Sequence, residues 1–239
     1  MARPGLPGID WQRLIDAYCE RTSAAFWAEP INALTNLAFL VAALGLAILL
    51  WRTPAARRAP SLWLLVLLVA TIGIGSFLFH TFATAWAAAA DVAPIYLFMH
   101  LYAACFARWV VGLPWRWAWL GAPLFFALAR TVGWAVPPGT LGMGGYLPAL
   151  LALGGFALWC VWRGLPQTRG YALAAAVFAV SLAFRQADGP LCSWWPWGTH
   201  FIWHLLNAVT LGLAVALLIP ISRATGESAG GPGRVRWMR

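Results

Sequence analysis

Lysine is missing from this 239-residue chain, and all 16 basic residues are arginine. That excludes a phosphate-binding loop, which needs Lys-Ser/Thr after its glycines. Gly73, Gly75 and Ser76 instead permit two helices to approach closely. Charge is scarce: 10% of residues are charged and 62% hydrophobic, with a mean hydropathy of +0.74. Soluble domains carry roughly 25% charged residues, so a soluble enzyme is excluded and the chain reads as a polytopic membrane protein. The net charge of +9 does not make a nucleic-acid surface, because the arginines are scattered between apolar runs with no basic stripe. No cleavable signal peptide is expected, since residues 1–30 are mixed polar without a continuous apolar core. The chain has only seven carboxylates, so candidate bases are few.

A membrane span needs about 20 mostly apolar residues. Seven stretches qualify: 32–52, 61–80, 90–110, 115–135, 143–163, 170–187 and 199–220. The expected fold is an all-α membrane protein, a seven-transmembrane helix bundle over residues 32–220. An extramembrane segment, 1–31, precedes it, and a disordered basic tail, 221–239, follows. Arginines gather in alternate connections (Arg52, Arg57, Arg58; Arg108, Arg116; Arg163, Arg169) and in the tail, whereas the other side has Arg3, Arg13, Arg21, Arg130 and Arg185. Cytoplasmic loops favour arginine, which puts the C-terminus in the cytoplasm. The compact, arginine-only chain reads as bacterial, an inner-membrane protein with its N-terminus toward the periplasm. The 17 tryptophans fit interfacial belts.

Ionisable groups near hydrocarbon are costly and mark function. Three of the four histidines, His80, His200 and His204, sit at the edges of apolar stretches. His200 and His204 are one turn apart and share a helix face, as do Ser76 and His80. With seven spans, the end of helix 2 (His80), the start of helix 3 (Asp91) and the start of helix 7 (His200) fall on one membrane side. The wrong parity would separate them by about 30 Å of hydrocarbon. The expected site is therefore a zinc centre between helices 2, 3 and 7. Zinc suits imidazole, and three protein ligands plus water mark a catalytic site. Phe201 stands where an HExxH motif would put its base, so the base comes from another helix. Asp91 is assigned to deprotonate water, and Ser76 to orient it or donate to the oxyanion. Zinc brings the pKa of water to about 7, suited to attack on a lipid amide or ester. Each histidine taken alone also reads as a packing residue; their convergence favours function.

His100 lies nine residues after Asp91 on the opposite helix face and reads as structural. Asp188 reads as a helix cap or a partner of Arg185, and Trp203 as packing. Cys105 and Cys160 fall within spans and read as reduced. Cys19 and Cys192 both fall on the outer side, where an oxidising compartment favours a bridge; position alone leaves two free thiols equally open. The expected partners are a lipid substrate and the membrane, with no nucleic acid and no obligate protein partner evident. A rival reading is a lipid or ligand receptor with a structural zinc. A structural site closes its fourth position, whereas an available Asp91 speaks for hydrolysis. A transporter would show interrupted helices and a midplane charge.

The runs Gly75-Ser76-Phe77-Leu78-Phe79-His80, Asp91 with Pro94, and His200-Phe201-Ile202-Trp203-His204 resemble the alkaline ceramidases. So do Tyr18-Cys19-Glu20, Ala28-Glu29 and Asn32-Ala33-Leu34-Thr35-Asn36. The resemblance covers residues 15–220, and its wider superfamily includes the adiponectin receptors. It implies a seven-helix membrane amidase that splits ceramide into sphingoid base and fatty acid. It implies zinc on His80, His200 and His204, with Ser76 and Asp91 at the water, and a Cys19–Cys192 disulfide. It also implies calcium near the N-terminus, among Asp16, Tyr18, Glu20, Thr22 and Glu29; the alternative there is solvated surface acids. The chain departs from the family's Asp-Trp-Cys-Glu-x-Asn pattern, with Asp16 displaced and Thr22 in place of asparagine. Many bacteria make no ceramide, so another N-acyl lipid is an alternative substrate.

Overall fold

The computed structural model describes residues 10–136 and 145–227, side chains of 220–227 excepted. Its helices are α1 (Pro30–Thr35), α2 (Leu37–Trp51), α3 (Pro60–Phe82), α4 (Ala85–Trp109), α5 (Trp115–Ala118), α6 (Gly121–Ala135), α7 (Leu147–Trp162), α8 (Thr168–Leu191) and α9 (His200–Glu227), with a 3-10 turn at Ala56–Arg58. Among the described residues there is no strand, only an isolated bridge between Leu14 and Thr84.

Packing runs from α2 through α3, α4, α6, α7, α8 and α9 and returns to α2, closing a ring of seven helices. Leu62, Leu65, Val69 and Ile72 of α3 meet Leu182 of α8 and Val215 and Leu218 of α9 in its interior, all essentially without solvent exposure. The helices are apolar outside as well: on α2, Val41 is 70% and Leu44 63% exposed. A contiguous apolar exterior of this kind belongs against lipid, where a helix satisfies its backbone internally.

Among the described residues five helical segments are long and apolar enough to cross a membrane, from α1 and α2 taken together (Pro30–Trp51) to His200–Ile219 of α9; seven were expected. The expected span 115–135 is divided. Pro114 precedes α5, whose Trp115, Arg116 and Trp117 have the composition of an interfacial turn. The following α6 has 15 residues, about 22 Å at 1.5 Å per residue. The expected span 143–163 becomes α7, with 16 residues; positions 143 and 144 lie outside the described residues. Both helices complete the ring without reaching spanning length.

Other boundaries move for local reasons. α4 begins at Ala85, five residues before the expected 90, because the alanine run Ala87–Ala90 is only weakly apolar yet strongly helix-forming. Asp91 therefore lies in the second turn, not at the helix start. α8 continues past 187 to Leu191, so Asp188 is helical and not in a loop. α9 extends to Glu227, into the expected tail, whose remainder, 228–239, lies outside the described residues. The segment before α1 lies along the α3–α4 turn, with Ile15 N donating to Ala83 O (2.7 Å) and Ala85 N to Arg13 O (3.0 Å). Ala83 takes the left-handed conformation there, φ 48°.

Candidate metal centre and active site

His80 comes from the last turn of α3, and His200 and His204 from the first two turns of α9. All three are buried, and one ligand atom from each lies within 4.8 Å of the others. Ring centroids are 4.6 Å apart for His200–His204, 4.8 Å for His80–His204 and 5.2 Å for His80–His200. The expected convergence of these helix ends is thus present in the structure.

The partners of each ring decide which nitrogen is free. His80 Nδ1 lies 2.6 Å from Glu29 Oε2, so a proton on Nδ1 is donated to the carboxylate. His204 Nδ1 lies 3.0 Å from Thr35 Oγ1. The Thr35 hydroxyl already donates to Ile31 O at 2.8 Å, so it accepts from His204 Nδ1–H. In both imidazoles Nε2 is therefore the nitrogen left without a partner. His80 Nε2, His204 Nε2 and His200 Nδ1 are buried with no hydrogen-bond partner among the described residues. Buried polar atoms are rarely left unpaired, and metal-binding histidines usually donate their other N–H to a carboxylate or oxygen. The donor set fits zinc.

His200 is fixed differently. The Asp188 carboxylate, 2% exposed, accepts from Thr199 N (2.7 Å) and His200 N (2.9 Å) through Oδ1 and from Cys19 N (3.0 Å) through Oδ2. Of the two roles open for Asp188, capping a helix is the one realised; Arg185 is not its partner. A Cβ on Gly198 would stand 2.1 Å from Asp188 Oδ1, and the residue has φ +65°, so glycine is required at this turn. Tyr18 stacks on the His200 ring with centroids 3.7 Å apart.

Ser76, Asp91, His200 and His204 line one small cavity with Tyr18, Tyr146, Arg185 and Trp203. The Ser76 hydroxyl interacts with the Asp91 carboxylate. Their approach depends on Gly75, where a Cβ would meet Ala90 O at 2.2 Å and Asp91 Cα at 3.1 Å. Arg185 lies over the faces of Tyr146 (4.9 Å) and Trp203 (5.7 Å) and forms no ion pair among the described residues. His100 stands apart, bonded through Nδ1 to Tyr96 O and packed on Phe125.

The family model described as Ceramidase matches residues 16–136, just over half of the chain. The chain belongs to the Ceramidase family. A search of curated proteins returns no match. Membership implies an amidohydrolase with a lipid substrate in a membrane. The matched stretch carries Glu29, Ser76, His80 and Asp91, while His200 and His204 arrive from outside it on α9.

This ceramidase-family chain has a disulfide between Cys19 and Cys192, with Cα atoms 5.2 Å apart, inside the usual range. Cys105 and Cys160 are free and buried. Of the residues grouped for calcium, the two glutamates are otherwise employed. Asp16 and Thr22 are exposed. Both Glu20 oxygens accept backbone amides, Ile31 N at 2.7 Å and Asn32 N at 2.8 Å. Glu29 Oε1 accepts from Arg21 Nε, and Oε2 from His80 and Asn32. Burial holds the Glu20 carboxyl above its ordinary value despite those amides. Burial also acts to raise Glu29, but hydrogen bonds from His80, Arg21 and Asn32 outweigh it and hold the carboxyl below the usual value. Calcium takes six to eight oxygens, and this set, with a guanidinium in its midst, does not fit it.

Glu29, Thr35 and Arg185 are the site residues whose roles were not apparent from the sequence. One signal was available: each is a polar residue at the border of an apolar helix, at the end of the bundle where the histidines lie.

Proposed function

We propose that this protein is a zinc-dependent intramembrane hydrolase that cleaves the amide of a ceramide-like N-acyl lipid to a free fatty acid and a long-chain amine. The observation that carries the reading is the set of three buried, partnerless imidazole nitrogens beside Asp91 and Ser76, at the mouth of an apolar chamber. That chamber shares Ile72, Ile95, Tyr146 and Asn207 with the polar cavity. It continues between Phe98, Leu153, Phe156 and Phe178, an apolar and aromatic lining of the kind ligand pockets have.

An acyl chain in this chamber brings its carbonyl to the histidines. His80, His200 and His204 would hold the metal. Zinc, when bound, supplies a Lewis acid that polarises a carbonyl and acidifies water. Asp91 accepts a proton from the attacking water as the new C–O bond forms, and returns it to the nitrogen as the C–N bond breaks. Ser76 holds the Asp91 carboxylate in place. Arg185 sets an unpaired positive charge beside the cavity, where the oxyanion develops.

The bundle is proposed to cross the membrane seven times, with α6 and α7 as its two short spans, and to sit in a bacterial inner membrane. The centre and N-terminus face the periplasm, a placement that the disulfide supports through its need for an oxidising compartment.

The test is to incubate purified protein with ceramides, N-acylethanolamines and N-acyl amino acids, with and without chelator, and to read products by mass spectrometry. Fatty acid release from at least one class, stopped by chelator and restored by zinc, is expected. Release that persists in metal-free protein would overturn the mechanism. Tight lipid binding without release from any class would favour the receptor.

A further inference from the structure

Arg21 is 8% exposed, and each of its three donor nitrogens is used. Nε donates to Glu29 Oε1 at 2.5 Å, Nη1 to Ser23 O at 3.1 Å and Nη2 to His80 O at 2.9 Å. The guanidinium thus gathers one carboxylate and two carbonyl oxygens, an all-oxygen surrounding of the kind a hard divalent cation takes. One of those oxygens belongs to the main chain of His80, and the carboxylate also grips the His80 ring through Oε2. Both ends of His80 are therefore referred to one side chain, its carbonyl directly and its imidazole through Glu29.

We infer that Arg21 serves as a built-in cation at this clasp. It holds the N-terminal segment on the end of α3 without calcium, and it positions His80 for the metal through Glu29. Charge supports the assignment. Arg21 neutralises Glu29, and the Ile31 and Asn32 amides occupy both oxygens of Glu20. A dication entering here would lose those oxygens as ligands and meet a guanidinium. Arginine also suits the task geometrically, because its planar fork reaches three acceptors in fixed directions, as the ammonium of a lysine does not.

The positioning half rests on the zinc reading of the histidines; the calcium half does not. Two measurements on the purified full-length, zinc-loaded protein test the two halves. First, the wild type is melted and titrated calorimetrically with calcium. No bound calcium and an unchanged melting temperature at millimolar calcium are expected; stoichiometric binding with a raised melting temperature would overturn the proposal.

Second, zinc affinity is measured by competition with a chromophoric chelator for wild type, R21K and R21Q. Disturbing the support of a metal-binding histidine costs about 10–100-fold in affinity, so R21Q is expected to fall by that factor, with R21K between it and wild type. R21Q retaining wild-type zinc affinity, even with a lowered melting temperature, would remove the positioning role. Should R21Q not be recovered folded, R21K carries the same comparison: affinity equal to wild type counts against the proposal, and a loss supports it. If the wild type holds no zinc, the reading of the histidines fails, while the calcium titration still decides whether Arg21 fills the clasp.

Discussion

Replacing Asp188 by alanine strands three backbone donors at once: Cys19 N, Thr199 N and His200 N all end on its carboxylate at 2.7–3.0 Å. Leaving a buried donor without a partner costs about 1–3 kcal/mol. The three share one carboxylate and do not add fully, so the loss is expected near 3–6 kcal/mol. Total stabilities of roughly 5–15 kcal/mol make that a large fraction, and at about 2–4 °C per kcal/mol the melting temperature should fall by about 6–24 °C. Asp188→Asn keeps one acceptor oxygen but turns an amino group toward an N–H, and should lose about half as much. Because His200 N is among the stranded donors, zinc affinity should fall in the same order: wild type, Asn, Ala. The assay is thermal unfolding of detergent-purified protein under non-reducing conditions, so that the Cys19–Cys192 link stays closed, followed by chelator competition. A melting temperature within about 2 °C of wild type for Asp188→Ala, a fall of under about 1 kcal/mol, would refute the reasoning. It would mean that water satisfies those amides and that Asp188 does not lock the start of α9.

Asp91→Asn should keep zinc and lose about 10²–10⁴-fold in turnover, the usual contribution of a positioned base; unchanged turnover on an accepted substrate would remove Asp91 from that role. Thr35→Val removes one of the two acceptors at His204, leaving the Asn32 carbonyl, and should weaken zinc by up to about 10-fold with little change in fold, read by chelator competition and circular dichroism. Leu153, buried in the wall of the apolar chamber, is expected to set how long a chain is accepted. Leu153→Trp should shift hydrolysis toward shorter acyl chains in a substrate mixture, and an unaltered product profile would place the chain elsewhere.

Much of the site was legible in the sequence because the chain has so few polar residues to choose from. In a run such as Gly73–His80 a serine and a histidine at helical spacing stand out, and span parity says which helix ends meet. Their supports were not legible. Glu29 lies 51 residues from His80 and Thr35 169 residues from His204, and no local pattern links such pairs. Glu29 was grouped with calcium because a carboxylate in a polar segment is equally a metal ligand and a hydrogen-bond acceptor; only its neighbours, Arg21 and His80, separate the two. Helix boundaries failed where apolarity and helix propensity part company. The alanines before Asp91 are too weakly apolar to mark a span yet form α4 readily, and Asp188 is polar yet stays helical because its carboxylate is fully used. The ring of seven helices follows from the apolar runs. The length of α6 did not, since Trp115–Trp119 count as apolar but fold as the separate short helix α5 and its cap.

The most direct measurement is the metal content of the purified protein by mass spectrometry, for wild type and for His80→Ala, His200→Ala and His204→Ala, with lipid amide hydrolysis measured on the same samples. One zinc per chain in the wild type, lost together with hydrolysis in each variant, is the predicted result. Protein that hydrolyses its substrate while holding no metal, or single variants that keep their zinc, would contradict the account.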